Sequence, residues 1–345
     1  MADPDQPTNQ LDQTRQGILF LLAGLLLFSI QDVTIKWISG SYPVHQIVVV
    51  RALLALLPLF LILQLEGGFA LLRTRRLGGH LLRSAAMFMA YTCFYLALAA
   101  MPLADTVALT FSSPLFLTAL SILILGERAS LRRWIAVATG FVGVLIILRP
   151  GFAAFEPAAL LALAGALFYA LGGVQTRRLG GTESASAMAV YTTLFYLAAG
   201  SLIGLIGSQR LLATGGGAAA ASMDAEPVHA SLQFLLRPWA LPTWPDLGRM
   251  ALLGVIAALG FYLLSQAYRV ARVTAVAPFE YLSVPLSVAL GYLVWGDLPT
   301  GYTIAGAALV VGSGLYVLRR EAVREEGEAG NAPALDGARS GTSET

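Results

Sequence analysis

The sequence predicts an all-α integral membrane protein with ten transmembrane helices in two inverted five-helix repeats. Three observations lead there. First, 57% of the 345 residues are apolar and 12% charged, where a soluble domain carries about 25% charged residues; mean hydropathy is +0.72. Second, the apolar residues fall into runs of about 20, the helix length that crosses a hydrocarbon core of roughly 30 Å. Third, the chain resembles itself. Residues 104–149 lie over 274–319 at a constant offset of 170, which sets Ala119 on Ala289, Leu123 on Leu293, Gly126 on Gly296 and Arg149 on Arg319. Earlier positions match at an offset of 141: Gly24 with Gly165, Phe28 with Tyr169 and Val33 with Val174. A repeat unit with an odd number of spans must be inverted, an arrangement that membrane carriers use around a central site.

The elements follow in order. Residues 1–16 are polar and read as a cytoplasmic segment. The first apolar run lacks a small-residue cleavage site and reads as a span, not a signal peptide. Spans are expected near 17–38, 44–65, 81–101, 104–125 and 131–149, which form the first repeat, 17–149. A linker, 150–156, precedes spans near 157–177, 184–207, 248–269, 273–295 and 301–319, the second repeat, 157–319. Gly and Pro mark most turns, as in Ser39-Gly40-Ser41-Tyr42-Pro43. Residues 320–345 are charged and rich in Gly, Ala and Ser, a composition of disordered tails.

Orientation follows from the excess of Lys and Arg on the cytoplasmic side. With the N-terminus inside, the inner segments carry Arg15, Arg73, Arg75, Arg76, Arg83, Arg128, Arg132, Arg133, Arg177, Arg178, Arg269, Arg272, Arg319, Arg320, Arg324 and Arg339. The outer side holds Lys36, Arg149, Arg210 and Arg237. Both termini are thereby cytoplasmic. The growth of the offset from 141 to 170 isolates an insertion of about 30 residues in the outer loop near 208–247. Its Gly215-Gly216-Gly217 stretch reads as flexible linker, Trp239 and Trp244 as interfacial anchors, and the whole as a tolerated insertion rather than a lid.

Ionisable residues inside apolar spans mark function or its structural partner. Three stand out: Glu280 near the middle of span nine, Arg51 in span two and Asp32 in span one. Asp32 and Arg51 lie at similar depths, so an ion pair is allowed, serving as a clasp, a gate or an anchor for substrate. Glu280 stands between Pro278 and Pro285, which remove backbone hydrogen bonds from its helix, and is suited to carry a proton or bind substrate. Further candidates to line a cavity are Gln31, Tyr91, Tyr95, Ser112, Ser113, Pro114, Tyr169, Tyr191, Tyr262, Gln266 and Tyr281. Asp105 reads as an interfacial cap. The symmetry is broken at the charges: Asp32 and Arg51 align with Gly173 and Tyr191, and Glu280 with Thr110.

Other classes of function lose support. The single cysteine, Cys93, excludes an intramolecular disulfide, and His45, His80 and His229 have no metal-ligand spacing. No nucleotide loop or hydrolase motif is present, so no cofactor, no metal, no catalytic residue and no nucleic-acid partner is expected. A non-transporting receptor or scaffold would carry a folded extramembrane domain, which the loop and tail do not resemble.

The segments Gln31-Asp32-Val33-Thr34-Ile35-Lys36-Trp37, Tyr42-Pro43 followed by Arg51, Leu103-Ala104-Asp105 through Ser112-Ser113-Pro114-Leu115, Gly126-Glu127-Arg128 and Ala277-Pro278-Phe279-Glu280-Tyr281 resemble the EamA family of the drug/metabolite transporter superfamily. The resemblance covers about 17–319. It implies a secondary carrier of a small polar organic metabolite working by alternating access in the inner membrane, as a monomer or homodimer, with protons as candidate coupling ion. Within the family the sequence looks closest to carriers of S-adenosylmethionine and riboflavin. Export of amino acids or drugs is the alternative the same resemblance implies, though Glu280 departs from many amino-acid exporters.

Overall fold

A backbone inside an apolar surround satisfies its N–H and C=O groups as a helix. The computed structural model describes residues 6–126, 131–149, 156–180, 182–213, 227–271 and 276–330, and among them the chain has no strand. The helices are α1 (Gln6–Ile38), α2 (Val44–Glu66), α3 (Leu77–Ala100), α4 (Leu103–Thr110), α5 (Ser113–Leu125), α6 (Leu131–Leu148), α7 (Ala158–Leu179), α8 (Ala185–Ala213), α9 (Pro227–Leu236), α10 (Trp244–Val270), α11 (Ser283–Trp295) and α12 (Gly301–Gly330). Short 3-10 turns span Gly68–Leu72 and Ala277–Leu282. Seven of the helical stretches are long and apolar enough to cross a membrane, counting α4 and α5 as one; the apolar parts of α6 and α12 are shorter.

Two spans depart from a continuous α-helix. The fourth bends at Phe111 and Ser112, and α5 restarts with Pro114 in its first turn, where the missing N–H costs nothing. In the described part of the ninth, a 3-10 segment with Pro278 in its first turn leads into α11. Helices α5 and α11 have bounds separated by the repeat offset. Each ends on a left-handed glycine, Gly126 at φ 70° and Gly296 at φ 74°, a conformation that a Cβ disfavours. Two boundaries differ from expectation. Helix α1 starts at Gln6, and α12 runs on to Gly330 because EAVREEGEA is rich in strong helix formers. Expectations placed on 127–130, 150–155, 214–226, 272–275 and 331–345, Glu127 and the triple glycine among them, fall outside the described residues.

Helices pack in pairs: α3 on α7, α1 on α10, α2 on α8, α6 on α12, and α4 on α11. Helix α2 shows how a span divides its faces. Leu53, Leu57, Leu61 and Leu65, one turn apart, are exposed, while Ile47, Val48, Arg51 and Ala52 are buried. Hydrocarbon-facing residues here are the apolar ones, and the cation turns inward. Small residues set the closest approaches. A Cβ on Gly143 would stand 2.6 Å from the Gly306 carbonyl, and one on Gly306 2.5 Å from that of Gly143, as in close-packed membrane helices.

The turns gather at two ends. At the end assigned outside by charge, Lys36 donates to the Met101 carbonyl at 2.6 Å, lies 3.8 Å from Asp297, and sits 4.9 Å over the Trp295 ring. Asp105 belongs to this end, near Lys36, Arg149 and Thr303. The described part of the outer-loop insertion, from Pro227 on, is fastened here. The Ser231 hydroxyl of α9 donates to the Leu96 carbonyl at 2.7 Å, and Phe234 is only 1% exposed. The Gln46 amide bonds the Ala240 backbone in both directions, at 2.6 and 3.1 Å, and Tyr42 donates to Asp246 at 2.8 Å. An amphipathic stretch (Ser231, Phe234, Leu235) gives α9 an apolar face to bury, which the glycine-rich composition upstream obscured.

Candidate substrate cavity

Arg51 lies on the inward face of α2, 8% exposed. Its guanidinium donates from Nη1 to the Tyr95 hydroxyl of α3 and stands 5.7 Å from the centre of the Tyr91 ring. One helical turn separates Tyr91 and Tyr95, so both reach the same cation. Tyr196 of α8 closes the collar, its ring 6.3 Å from that of Tyr91. Its buried hydroxyl has no hydrogen-bond partner. Asp32 of α1 is within electrostatic reach of Arg51 and beside the Gln31 amide, but makes no close ion pair with it. The expected clasp is thus a wider charge pair, with Tyr95 taking the contact. Gln31 is 3% exposed, and its Oε1 is likewise unpartnered.

Glu280 stands on the 3-10 segment, half-buried, and accepts a hydrogen bond from the Tyr268 hydroxyl of α10. Its neighbour Tyr281 is packed away from it, 5.1 Å from Phe111 in ring contact and against Gly314. Tyr169 of α7 bridges the two clusters, within electrostatic reach of Tyr91, Glu280 and Arg83. Although these groups are near it, Tyr169 is 46% exposed.

Arg83 of α3 has the same tyrosines as neighbours. It was counted with the cytoplasmic charges, yet its side chain folds into the bundle. Nε donates to Thr176 at 2.7 Å; Nη1 donates to Thr192 at 2.7 Å and to the Met188 carbonyl at 3.2 Å. Its other polar neighbours are Tyr196, Tyr91 and Tyr169. A sequence signal existed, since Arg83 lies inside the apolar span expected at 81–101. Tyr196 and Tyr268 carried no comparable mark.

The remaining candidates lie elsewhere. The Ser112 hydroxyl is bonded to its own turn at Leu109, 2.7 Å away, and Ser113 and Pro114 open α5. Tyr191 reaches the end assigned inside by charge, donating to the Leu72 carbonyl at 2.6 Å with its ring tilted against His80, 4.4 Å between centres. Tyr262 is exposed and Gln266 half-buried on α10. At the inner end Glu183 accepts from Thr74 at 2.8 Å and lies 3.0 Å from His80 Nε2. The His80 contact, followed by Thr74, holds the Glu183 carboxyl below the usual range. Among the described residues no three metal-ligating side chains come together.

A helical membrane bundle with charged and phenolic groups turned into its interior is the architecture of a carrier. Residues 15–149 match the EamA-like transporter family. A riboflavin transporter of Rhizobium johnstonii is 30% identical over 94% of this chain and 99% of its own length. An S-adenosylmethionine uptake transporter of Rickettsia prowazekii is 24% identical over 88% and 93%. The pseudopaline exporter CntI of Pseudomonas aeruginosa is 27% identical over 87% and 95%. The fold recurs in a solved crystal structure with 18% identity and a TM-score of 0.56, covering 90% of this chain and 98% of that one. The chain belongs to the EamA-like transporter family, and it is a membrane transporter of a small molecule.

Proposed function

We propose that the chain is a secondary active carrier of a small polar organic metabolite, working by alternating access across a bacterial inner membrane with both termini in the cytoplasm. The observation that carries this reading is the chain of electrostatic neighbours that links Asp32, Arg51, Tyr91, Tyr196, Tyr169 and Glu280 inside the bundle, with a cation near one end and a carboxyl at the other. Buried ionisable groups facing a bundle interior are costly and mark a transport path. Glu280 is the proton- or substrate-coupling group, oriented by Tyr268, and Asp32 with Arg51 is the gate or substrate anchor.

The motion proposed is rocking of two inverted repeats, 17–149 and 157–319. Packing supports them. Exchanging the two halves turns the α1–α10 pair into the α7–α3 pair and leaves the α2–α8 and α6–α12 pairs unchanged. The correspondence reaches single atoms. A Cβ on Gly24 would meet Gly260 O, Leu263 Cβ and Leu264 N; one on Gly165 would meet Ala90 O, Cys93 Cβ and Phe94 N. Every partner differs by the offset of 170, and the two glycines by 141. By the same register Arg51, whose carbonyl packs at Gly254, corresponds to Thr192, which contacts Ser84, one residue beyond the Tyr191 expected from the sequence.

Flux into proteoliposomes at several pH values, with riboflavin and S-adenosylmethionine as first substrates and Glu280→Gln alongside, tests the coupling. Loss of the pH dependence in Glu280→Gln is expected. Equal, equally pH-sensitive flux in the mutant refutes the role of Glu280.

A further inference from the structure

The two arginines of the cavity share their neighbours. Tyr91 and Tyr196 lie within electrostatic reach of both Arg51 and Arg83. We propose that Arg51, Arg83 and the Tyr196 hydroxyl form one anion-binding site, and that the carried molecule is a planar organic anion whose acidic group sits between the two guanidinium groups. This rests on the transport reading above.

Donor accounting gives the first argument. A guanidinium has five N–H donors. Arg83 uses Nε and Nη1 on Thr176, Thr192 and Met188, which fix its plane and leave Nη2 for another acceptor. Arg51 uses Nη1 on Tyr95. The Tyr196 hydroxyl, within electrostatic reach of both, is buried without a partner. Buried polar groups are normally satisfied, and a carboxylate or phosphate accepts several such donors at once.

Charge gives the second. Asp32 is within reach of Arg51, whereas among the described residues no carboxylate contacts Arg83, whose polar surroundings are tyrosines and threonines. Glu280 stands across the space, beside Tyr169 and bonded by Tyr268. Arg51 of α2 and Arg83 of α3 therefore have one acid, Asp32 of α1, beside Arg51 and none beside Arg83. An arginine taken from water without a counter-charge is costly, and a bound anion removes that cost.

Shape gives the third. The rings of Tyr91, Tyr95 and Tyr196 stand edge or tilt to one another with centres 6.0 and 6.3 Å apart, and Tyr169 faces the same space, a lining suited to a flat ring. The positions that match Tyr169 and Tyr91 at the repeat offsets are Phe28 and Phe261, an apolar edge-to-face pair 5.2 Å apart. Only one of the two related helix pairs carries the phenols.

The test uses three probes of one shape and different charge: benzoate, benzamide and benzamidine. Each is titrated against the full chain in detergent, with thermal stabilisation as readout. Benzoate is expected to bind at least about tenfold more tightly than either other probe, the scale of one charge-assisted contact. Arg83→Gln should abolish that preference and Arg83→Lys retain part of it. Thr192→Val, which removes one bond that holds Arg83 but neither charge, should keep it. Equal response to the three probes, no response, or preference for benzamidine overturns the inference. So does an unchanged preference in Arg83→Gln; if that variant does not fold, the wild-type ranking decides. Flux separates the two readings. Riboflavin flux without a benzoate preference sinks the anion site and leaves the carrier; a benzoate preference without flux of any probe does the reverse.

Discussion

Gly24→Ala and Gly165→Ala are the same substitution at two positions related by the repeat offset, yet the packing predicts opposite signs. At Gly165 a Cβ would stand 3.0 Å from the Ala90 carbonyl oxygen and 3.2 Å from the Phe94 nitrogen. Both are backbone atoms inside α3 and cannot rotate away. At Gly24 the nearest atoms are the Gly260 oxygen at 3.4 Å and Leu263 Cβ at 3.7 Å, which is ordinary contact. Replacing glycine by alanine inside a helix gains about 1 kcal/mol of propensity, and overpacking a close contact costs about 1–3 kcal/mol. Gly24→Ala should therefore be neutral or raise stability by up to about 1 kcal/mol, and Gly165→Ala should lower it by up to about 2 kcal/mol. Thermal unfolding of both variants in one detergent reads the difference. Transport should follow it, because Gly165 sits one turn from Tyr169 and its partner Ala90 sits beside Tyr91, so spreading α3 from α7 widens the cavity. A lower melting temperature for Gly24→Ala than for Gly165→Ala refutes the packing argument.

Two further outcomes are expected. Tyr95→Phe removes the acceptor of the Arg51 bond, worth about 1.5–3 kcal/mol for a charged donor, and should lower thermal stability while Tyr91→Phe, which keeps the ring under the guanidinium, has a smaller effect; the ranking is read from melting curves of the two variants. Glu183→Gln weakens the inner-end links to His80 and Thr74. Because the Glu183 carboxyl titrates below its usual range, its contribution is present above its unfolded value of about 4.3 and is lost as pH falls through the lower folded value. The stability gap between wild type and Glu183→Gln should thus be constant above about pH 5 and close below about pH 4, as followed by unfolding at a series of pH values.

How far the site was legible depends on the kind of signal each residue carries. Asp32, Arg51 and Glu280 announce themselves because a charge in an apolar run has no inexpensive explanation. Arg83 carries the same signal but sits at a span end, where its charge also fits the inner-side excess, and only the hydrogen bonds to Thr176 and Thr192 separate the two readings. Tyr191 and Tyr196 lie on the same helix, and which one meets Arg51 is set by the rotation of α8 against α2. Composition carries no trace of that angle. Ser112 illustrates the reverse case: a hydroxyl beside a proline break invites a functional role, while its nearest acceptor is its own backbone.

By itself the sequence determined that this chain lives in a membrane as helices, that prolines loosen the helix of Glu280, and which family it resembles. These are local consequences of hydropathy, proline and glycine, which act within one or two turns. It also carried the repeat, as the constant offset. Tertiary structure alone decided which side chains share the cavity: the shift of the Arg51 contact from Asp32 to Tyr95, the entry of Arg83 and Tyr196, and the fastening of α9 under Phe234. Those depend on helix rotation and on the distance set by contacts such as Gly165 against Ala90, fixed by packing between segments far apart in the chain. A pattern within one helix cannot encode the position of its neighbour.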